Sequence, residues 1–130
     1  DQTWGMMADC YDMLNDPDNA EPLYQRALGM NGEEEAHWLG YADFLMHHER
    51  YTEAIDLLKE GERTSISPYE FNSRLAYCYH KTGKQQQLFE TLNACAADYQ
   101  DGLNTLLIDY PEMKDDPEVV KMIVELKDGN

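Results

Sequence analysis

The sequence predicts an all-α fold, an α-solenoid of antiparallel helix pairs, on the basis of two observations. The first is a regular repeat: Ala8, Ala42 and Ala76 are identical and spaced 34 apart, and Trp4 and Trp38 are separated by the same interval. A fixed period of this length is typical of stacked supersecondary units. The second is the pattern of apolar residues within each period, which forms two helical stripes separated by a turn.

The first helix of each unit carries its apolar side chains on one face. Residues spaced three and four apart share a face of an α-helix. The stripes consist of Trp4, Met7, Ala8 and Tyr11, then of Trp38, Tyr41, Ala42 and Leu45, and finally of Phe71, Leu75, Cys78 and Tyr79. The small residue between large ones lets the paired helix approach closely. A Leu at position 42 is therefore expected to cost about 1–3 kcal/mol of stability.

A second amphipathic helix follows in each unit. Its stripes consist of Ala20, Leu23, Tyr24 and Ala27, then of Tyr51, Ala54, Ile55 and Leu58, and finally of Leu88, Leu92 and Cys95. Turn-forming residues separate the two helices, namely Asn15-Asp16-Pro17-Asp18 in the first unit and Gly83 in the third. Asn31-Gly32 is expected to end the first unit with left-handed backbone.

The predicted units are residues 1–34, 35–68 and 69–102, followed by a degenerate fourth unit at 103–130. The fourth unit begins with a short apolar helix that Pro111 interrupts. A further helix is predicted to start at Asp116-Pro117-Glu118, because this order places a cap, a proline and an acid where a helix prefers them. Terminal units of such arrays are atypical, so we expect this one to cover the open end of the stack.

Composition argues against several classes of partner. The chain carries 10 basic and 26 acidic residues, a net charge of −16, so nucleic acid and anionic membrane surfaces are poor partners. No apolar run is as long as a membrane span. Because the chain starts at Asp1 and at the beginning of a repeat, we expect it to be part of a longer protein.

The cysteines fill repeat positions rather than a disulfide framework. Cys10 and Cys78 occupy the position that Phe44 fills in the second unit, and Cys95 occupies a small-residue position. This pattern predicts three reduced, buried thiols that act as small apolar side chains. Reduced thiols favour a reducing compartment, so the expected location is cytoplasmic.

These residues resemble the tetratricopeptide repeat, whose pattern is Trp, a small pair, Tyr, Ala, Phe, Ala and Pro. The match runs through Trp4-Met7-Ala8-Tyr11-Ala20-Tyr24-Ala27 and through Trp38-Tyr41-Ala42-Leu45-Ala54-Leu58-Gly61. The third unit departs from the pattern at Asn72, which replaces Trp. The closing Pro is absent from all three units, where its position holds Gly32, Ile66 and Gln100.

The resemblance implies a concave groove, lined by the first helices, that receives a peptide or helix of another protein. The residues expected to contact this partner avoid the core stripes of their helices. They are Asp9, Asp12, Leu39, Asp43, Met46, His47, Tyr77 and His80. The carboxylates suit a basic segment, and Leu39, Met46 and Tyr77 suit apolar anchors. The alternative is that these acids form a solvated face.

Many members of the family clamp the C-terminal carboxylate of a chaperone with Lys, Asn and Arg. The corresponding positions in this chain are Gly5, Asp9, Gly40, Glu70 and Arg74. Only Arg74 suits the clamp, and the two acids would repel a carboxylate. We therefore predict that this groove does not bind chaperone tails.

The sequence predicts no catalytic, cofactor or metal site. No nucleophile signature and no glycine-rich phosphate loop is present. His47 and His48 are adjacent and would point about 100° apart on a helix, so they are not expected to share a metal. A set of Asp43, His47 and His80 is conceivable, but surface histidines are the simpler interpretation.

The predicted function is a non-catalytic scaffold that binds a peptide or helical segment of a partner protein in an acidic and apolar groove. The alternative is a structural or self-assembly segment of a longer repeat array, with Trp4, Met6 and Met7 on an uncovered first helix. A homo-oligomer is compatible with that alternative. A third interpretation is a regulatory appendage of an enzyme elsewhere on the parent chain.

Overall fold

The computed structural model describes residues 2–30, 32, 34–98 and 101–128, and all regular structure in these residues is helical. The helices are α1 (Gln2–Met13), α2 (Pro17–Met30), α3 (Glu35–His47), α4 (Tyr51–Glu62), α5 (Pro68–Thr82), α6 (Gln85–Asp98), α7 (Gly102–Asp109) and α8 (Pro117–Asp128), with a 3₁₀ turn at Pro111–Asp115. The predicted all-α class and its paired helices are confirmed. None of the described helices combines the length and hydropathy needed to cross a membrane.

The chain forms two compact units. Unit 1 is Asp1–Ile66 and contains α1 to α4, and unit 2 is Ser67–Asn130 and contains α5 to α8. In unit 1, α1 packs on α2 and α3 packs on α4, while α3 also contacts α2 and α1. In unit 2, α5 packs on α6, and α6 also contacts α7 and α8. The boundaries between individual repeats remain predictions.

The repeated alanines lie in the buried core of the helix pairs. Ala8, Ala42 and Ala76 are each fully buried, as the stripe pattern predicted. The largest fully buried side chains include Phe44 in unit 1 and Phe71 in unit 2. Small residues beside large ones therefore form the buried core of each helix pair.

The turn between the two helices of a pair has the same backbone geometry three times. Asn15, Glu49 and Gly83, spaced 34 apart, have φ values of 57°, 60° and 73°. The N–H of the following residue donates to the carbonyl five residues earlier, as in Arg50 to Leu45 (2.8 Å) and Lys84 to Tyr79 (3.0 Å). This is the Schellman arrangement, which satisfies the last carbonyls of a helix. The strict spacing of the turns therefore follows the period of the sequence.

The turn before α7 requires a glycine that sequence analysis did not single out. A Cβ atom at Gly102 would lie 2.0 Å from the carbonyl oxygen of Cys95, and no side chain can occupy that space. The preceding Asp101 has a φ of 61°. The predicted turn at Asn31-Gly32 includes Asn31, which lies outside the described residues.

The prediction of three buried thiols is wrong at one position. Cys78 and Cys95 are buried, whereas Cys10 is exposed. Phe44, in the equivalent position, packs against Tyr24 of the preceding helix pair with ring centroids 5.2 Å apart. No described helix precedes α1, so Cys10 has no such neighbour. Met7, which was assigned to the apolar stripe of α1, is also 41% exposed.

Candidate partner-binding surfaces

Three of the predicted carboxylates in unit 1 act electrostatically on one tyrosine hydroxyl. The Tyr24 hydroxyl donates a hydrogen bond to Asp9 Oδ1 at 2.6 Å. Burial raises the pKa of Tyr24 far above its ordinary value of 10, and the hydrogen bond to Asp9 and the charges of Asp9, Asp12 and Asp43 raise it further. α1 and α3 thus hold Asp9, Asp12 and Asp43 close enough together for their fields to act on a single group.

A histidine that sequence analysis left aside joins this region. His48 Nε2 lies 2.9 Å from Asp12 Oδ1, and both side chains are about four-fifths buried, with exposed fractions of 19% and 20%. The ring of exposed His47 meets the ring of His48 edge-on, with centroids 4.9 Å apart.

The expected divergence of about 100° between these adjacent histidines assumes that both lie within a regular helix. His48 caps the C-terminus of α3 with φ −94° and ψ 16°, so it has left the helical geometry on which that angle rests.

In unit 2, the two predicted residues are engaged by the segment that follows α7. The rings of Tyr77 and Tyr110 stack with centroids 4.6 Å apart. His80 Nε2 lies 2.9 Å from Asp116 Oδ2, so His80 bonds to an acid of its own unit. A hydrogen bond from the Tyr77 hydroxyl and the charge of Lys81, whose Nζ lies 3.6 Å from Glu112 Oε1, lower the pKa of the Glu112 carboxyl. Residues 109–116 thus lie against α5.

Comparison with known proteins supports the repeat interpretation. Residues 6–69 match the family model described as the tetratricopeptide repeat. This chain is a tetratricopeptide repeat protein. No curated protein matches the chain.

The matched residues span most of α1, all of α2 to α4 and the first residues of α5. Tetratricopeptide repeats generally mediate protein–protein interaction. The third and fourth units of this tetratricopeptide repeat protein lie almost wholly beyond the match, and their assignment rests on the helix packing in unit 2.

The clamp positions of this tetratricopeptide repeat protein are used for internal packing. Arg74 Nη1 donates to the carbonyl of Glu70 at 2.8 Å and to its carboxylate at 3.1 Å. A Cβ atom at Gly40 would lie 3.6 Å from the Tyr24 ring, and one at Gly5 would lie 3.7 Å from His37. The one suitable cation is therefore already paired within its own helix.

One predicted contact residue differs from expectation in its burial. Met46 is only 8% exposed, so it does not avoid the core as its position in the stripe pattern suggested. α3 contacts α1, α2 and α4, and its buried surface therefore extends beyond a single stripe. Leu39 is half-buried, while Asp43 and His47 on the same helix are exposed.

Sequence analysis did not identify a network of ion pairs around Arg50 in unit 1. Arg50 donates to both carboxylate oxygens of Glu21, at 2.9 and 2.8 Å, and to both of Glu53, at 2.7 and 2.8 Å. These bonds lower the pKa of each carboxyl group below its ordinary value of 4.5. Burial and a hydrogen bond to Glu21 raise the pKa of Tyr41 to about 12. The spacing of Arg50 and Glu53 was a usable signal, but Glu21 lies too far away in sequence.

Proposed function

We propose that unit 1 binds a basic and apolar segment of a partner protein, in extended or helical form. The acidic surface that would contact it consists of Asp9, Asp12, Leu39, Asp43 and His47. The observation that supports this proposal is that Asp9 bonds to Tyr24 while the charges of Asp12 and Asp43 act on the same hydroxyl from the contacting helices α1 and α3. Like charges held together in this way are satisfied by cationic groups of a partner.

The distribution of charge favours unit 1 as the binding region. Residues 1–66 carry 15 acidic and 4 basic side chains, a net charge of −11, whereas residues 67–130 carry 11 and 6, a net charge of −5. A field of this sign accelerates encounter with a positively charged partner.

The unit 2 members of the predicted site, Tyr77 and His80, are less suitable anchors for a partner. Tyr110 stacks on the ring of Tyr77, and Asp116 bonds to His80. A partner would have to displace the stacked ring of Tyr110 to reach Tyr77. His80 is paired in the same way as Asp12 in unit 1, so the choice between the units rests on Tyr77 and on the net charge. We therefore centre the proposed site on the acidic surface of unit 1, and we propose a non-catalytic role in the cytoplasm.

The test uses random peptides displayed on phage and selected against the whole chain. We expect the enriched peptides to carry Lys or Arg together with Leu, Ile or Met. Their affinity is then measured by fluorescence anisotropy for the wild type and for Asp9→Asn with Asp43→Asn. Asparagine at position 9 keeps an oxygen that can accept the Tyr24 hydroxyl bond, so only charge is removed. The double variant should bind more weakly.

The matched control removes two charges elsewhere in unit 1, by Asp56→Asn with Glu60→Gln on α4. Both residues are exposed. Binding that weakens equally in the two double variants would reflect net charge alone and would contradict the proposed surface. The same conclusion would follow from an affinity that does not change between low and high salt.

The alternative function, self-association, is favoured by an exposed apolar stripe on α1. Met6, Cys10 and Met13 are spaced four and three apart and therefore share a face. Met6 is 66% and Met13 is 86% exposed, and Cys10 is also exposed. Sedimentation equilibrium of the wild type and of Met6→Glu with Met13→Glu distinguishes the functions. A dimer that this double variant dissociates would support self-association.

A further inference from the structure

We propose that Asp12, His47 and His48 form a binding site for a divalent transition metal of the zinc class. One ligand atom from each of these three side chains lies within 4.8 Å of those of the other two. No other group of three His, Cys, Asp or Glu side chains is this close in the described part of the chain. The site does not depend on the proposed function, because metal binding requires no partner protein.

The distances fit tetrahedral coordination with little rearrangement. In a tetrahedral site with bonds of about 2.0–2.1 Å, neighbouring ligand atoms lie about 3.3 Å apart. His48 Nε2 and Asp12 Oδ1 are already 2.9 Å apart. His47 lies in the last turn of α3, and its exposed side chain is free to rotate toward the other two. Two of the three ligands are therefore in place before a metal arrives.

Packing holds the buried part of the site in position. The ring of His48 lies against the ring of Phe44, with centroids 4.7 Å apart. Phe44 is itself 1% exposed, so it provides a fixed support for the imidazole. Asp12 belongs to α1 and both histidines lie at the end of α3. A bound metal would therefore join the first two helix pairs and stabilise unit 1.

The ligand types indicate which metal is suitable. Two imidazoles and one carboxylate suit Zn²⁺, Co²⁺ and related ions, whereas Mg²⁺ and Ca²⁺ prefer oxygen ligands alone. Three protein ligands leave a fourth position for water or for a side chain of another molecule. The charges of Asp9 and Asp43 act together with that of Asp12 on the Tyr24 hydroxyl, and negative charge in this region favours a cation.

Unit 2 provides a natural comparison for this site. His80 and Asp116 form a bridge of the same length, and Asp115 occupies the position that His47 has two repeat periods earlier. These residues do not form a group of three ligands among the described side chains. An acid and a histidine in contact are therefore insufficient, and His47 is the residue that distinguishes the two bridges.

The experiment titrates chelator-treated protein with Zn²⁺ by isothermal titration calorimetry. All proteins carry Cys10→Ser, which removes the exposed thiol as a competing ligand. We expect one zinc ion per chain and a higher unfolding temperature in its presence. His47→Ala should weaken binding by about tenfold or more, since even the loss of a residue that only supports a ligand costs about 10–100-fold. Asp115→Ala is the matched control and should bind like the parent.

His47 is exposed, so the effect of His47→Ala on folding is expected to be small and can be checked in the absence of metal. Replacement of Zn²⁺ by Co²⁺ should give visible absorption bands of a tetrahedral site that His47→Ala lacks. Equal zinc affinity in the parent and in His47→Ala would overturn the proposal, as would the absence of binding. Peptide binding measured with a chelator present tests the proposed function separately.

Discussion

The two units contain the same polar bridge with its partners exchanged. Asp12 bonds to His48 in unit 1, and His80 bonds to Asp116 in unit 2, each at 2.9 Å. His80 follows Asp12 by two repeat periods, and Asp116 follows His48 by the same interval. The repeat register determines where side chains of neighbouring helix pairs meet. The bond requires one acid and one imidazole in either order.

The surfaces around the two bridges differ because of a proline. Pro111 occupies the position of Asp43, two repeat periods later in the chain. α3 runs for 13 residues and carries Asp43 and His47 on its exposed side, whereas α7 ends after 8 residues at Asp109. The chain then enters the 3₁₀ turn, and residues 109–116 lie against α5. Unit 1 thus presents Asp43 and His47 on the exposed side of α3. In unit 2, the acidic segment 109–116 instead contacts α5, the helix that corresponds to α1.

The largest expected effect concerns the core position that Phe44 and Cys78 share. Phe44→Ala should reduce the free energy of unfolding by about 3–5 kcal/mol, because it leaves a large cavity between rings. Cys78→Ala should cost only about 1 kcal/mol, since it removes a single small group. Urea unfolding followed by far-UV circular dichroism measures both. Similar costs would show that this position is not packed differently in the two units.

The close approach of paired helices is tested by Ala42→Leu and Ala76→Leu. Both alanines are fully buried, so each larger side chain should destabilise the protein by about 1–3 kcal/mol. Ala36→Leu is the control, since Ala36 is exposed on the same helix as Ala42. A stable Ala42→Leu variant with an unchanged urea midpoint would contradict the packing described for α3 and α4.

The repeated turn differs between the units in its left-handed residue. Glu49→Gly should stabilise the chain by somewhat less than about 1 kcal/mol, because it relieves left-handed strain at the cost of added chain entropy. Gly83→Ala should destabilise it by about 1 kcal/mol. Thermal unfolding of both variants gives the comparison. Shifts of the same sign would rule out the strain argument.

The arginine network predicts an effect of pH that is specific to unit 1. Arg50→Met should cost about 1 kcal/mol at neutral pH. Arg50 lowers the pKa of Glu21 and Glu53 below 4.5 in the folded state, so this stability is present above pH 4.5 and is lost as pH falls through the lowered values. The difference between wild type and variant should therefore shrink in acid. Urea midpoints measured by Trp fluorescence at several pH values test this, and a constant difference would contradict it.

The smallest expected effect comes from exchanging the partners of the unit 1 bridge. Asp12→His and His48→Asp should each lower the free energy of unfolding by about 0.5 kcal/mol. The first leaves two imidazoles facing each other, and the second leaves two carboxylates. The double variant reproduces the order found in unit 2 and should recover most of the loss. A double-mutant cycle from urea unfolding measures the coupling. Additive costs would mean that the exchanged order is not equivalent in unit 1.

The helices and the small-residue positions were predictable because they depend on local pattern. The regular spacing of Ala8, Ala42 and Ala76 placed the first helix of each pair correctly, and Gly83 marked a turn by its own chemistry. The left-handed backbone of Glu49 was not predictable from residue type. It follows from the register of the turn, which Asn15 and Gly83 define on either side.

The contacts of the candidate surfaces were only partly predictable. The sequence by itself determined the all-α class, the helix pairs and the acidic character of Asp9, Asp12 and Asp43, since period, stripe and charge are properties of the chain. The tertiary structure decided that His48 meets Asp12, that Arg50 reaches Glu21 and that Tyr110 covers Tyr77. The reason is physical. These pairs lie 29 to 36 residues apart, and their contact depends on how one helix pair packs against the next.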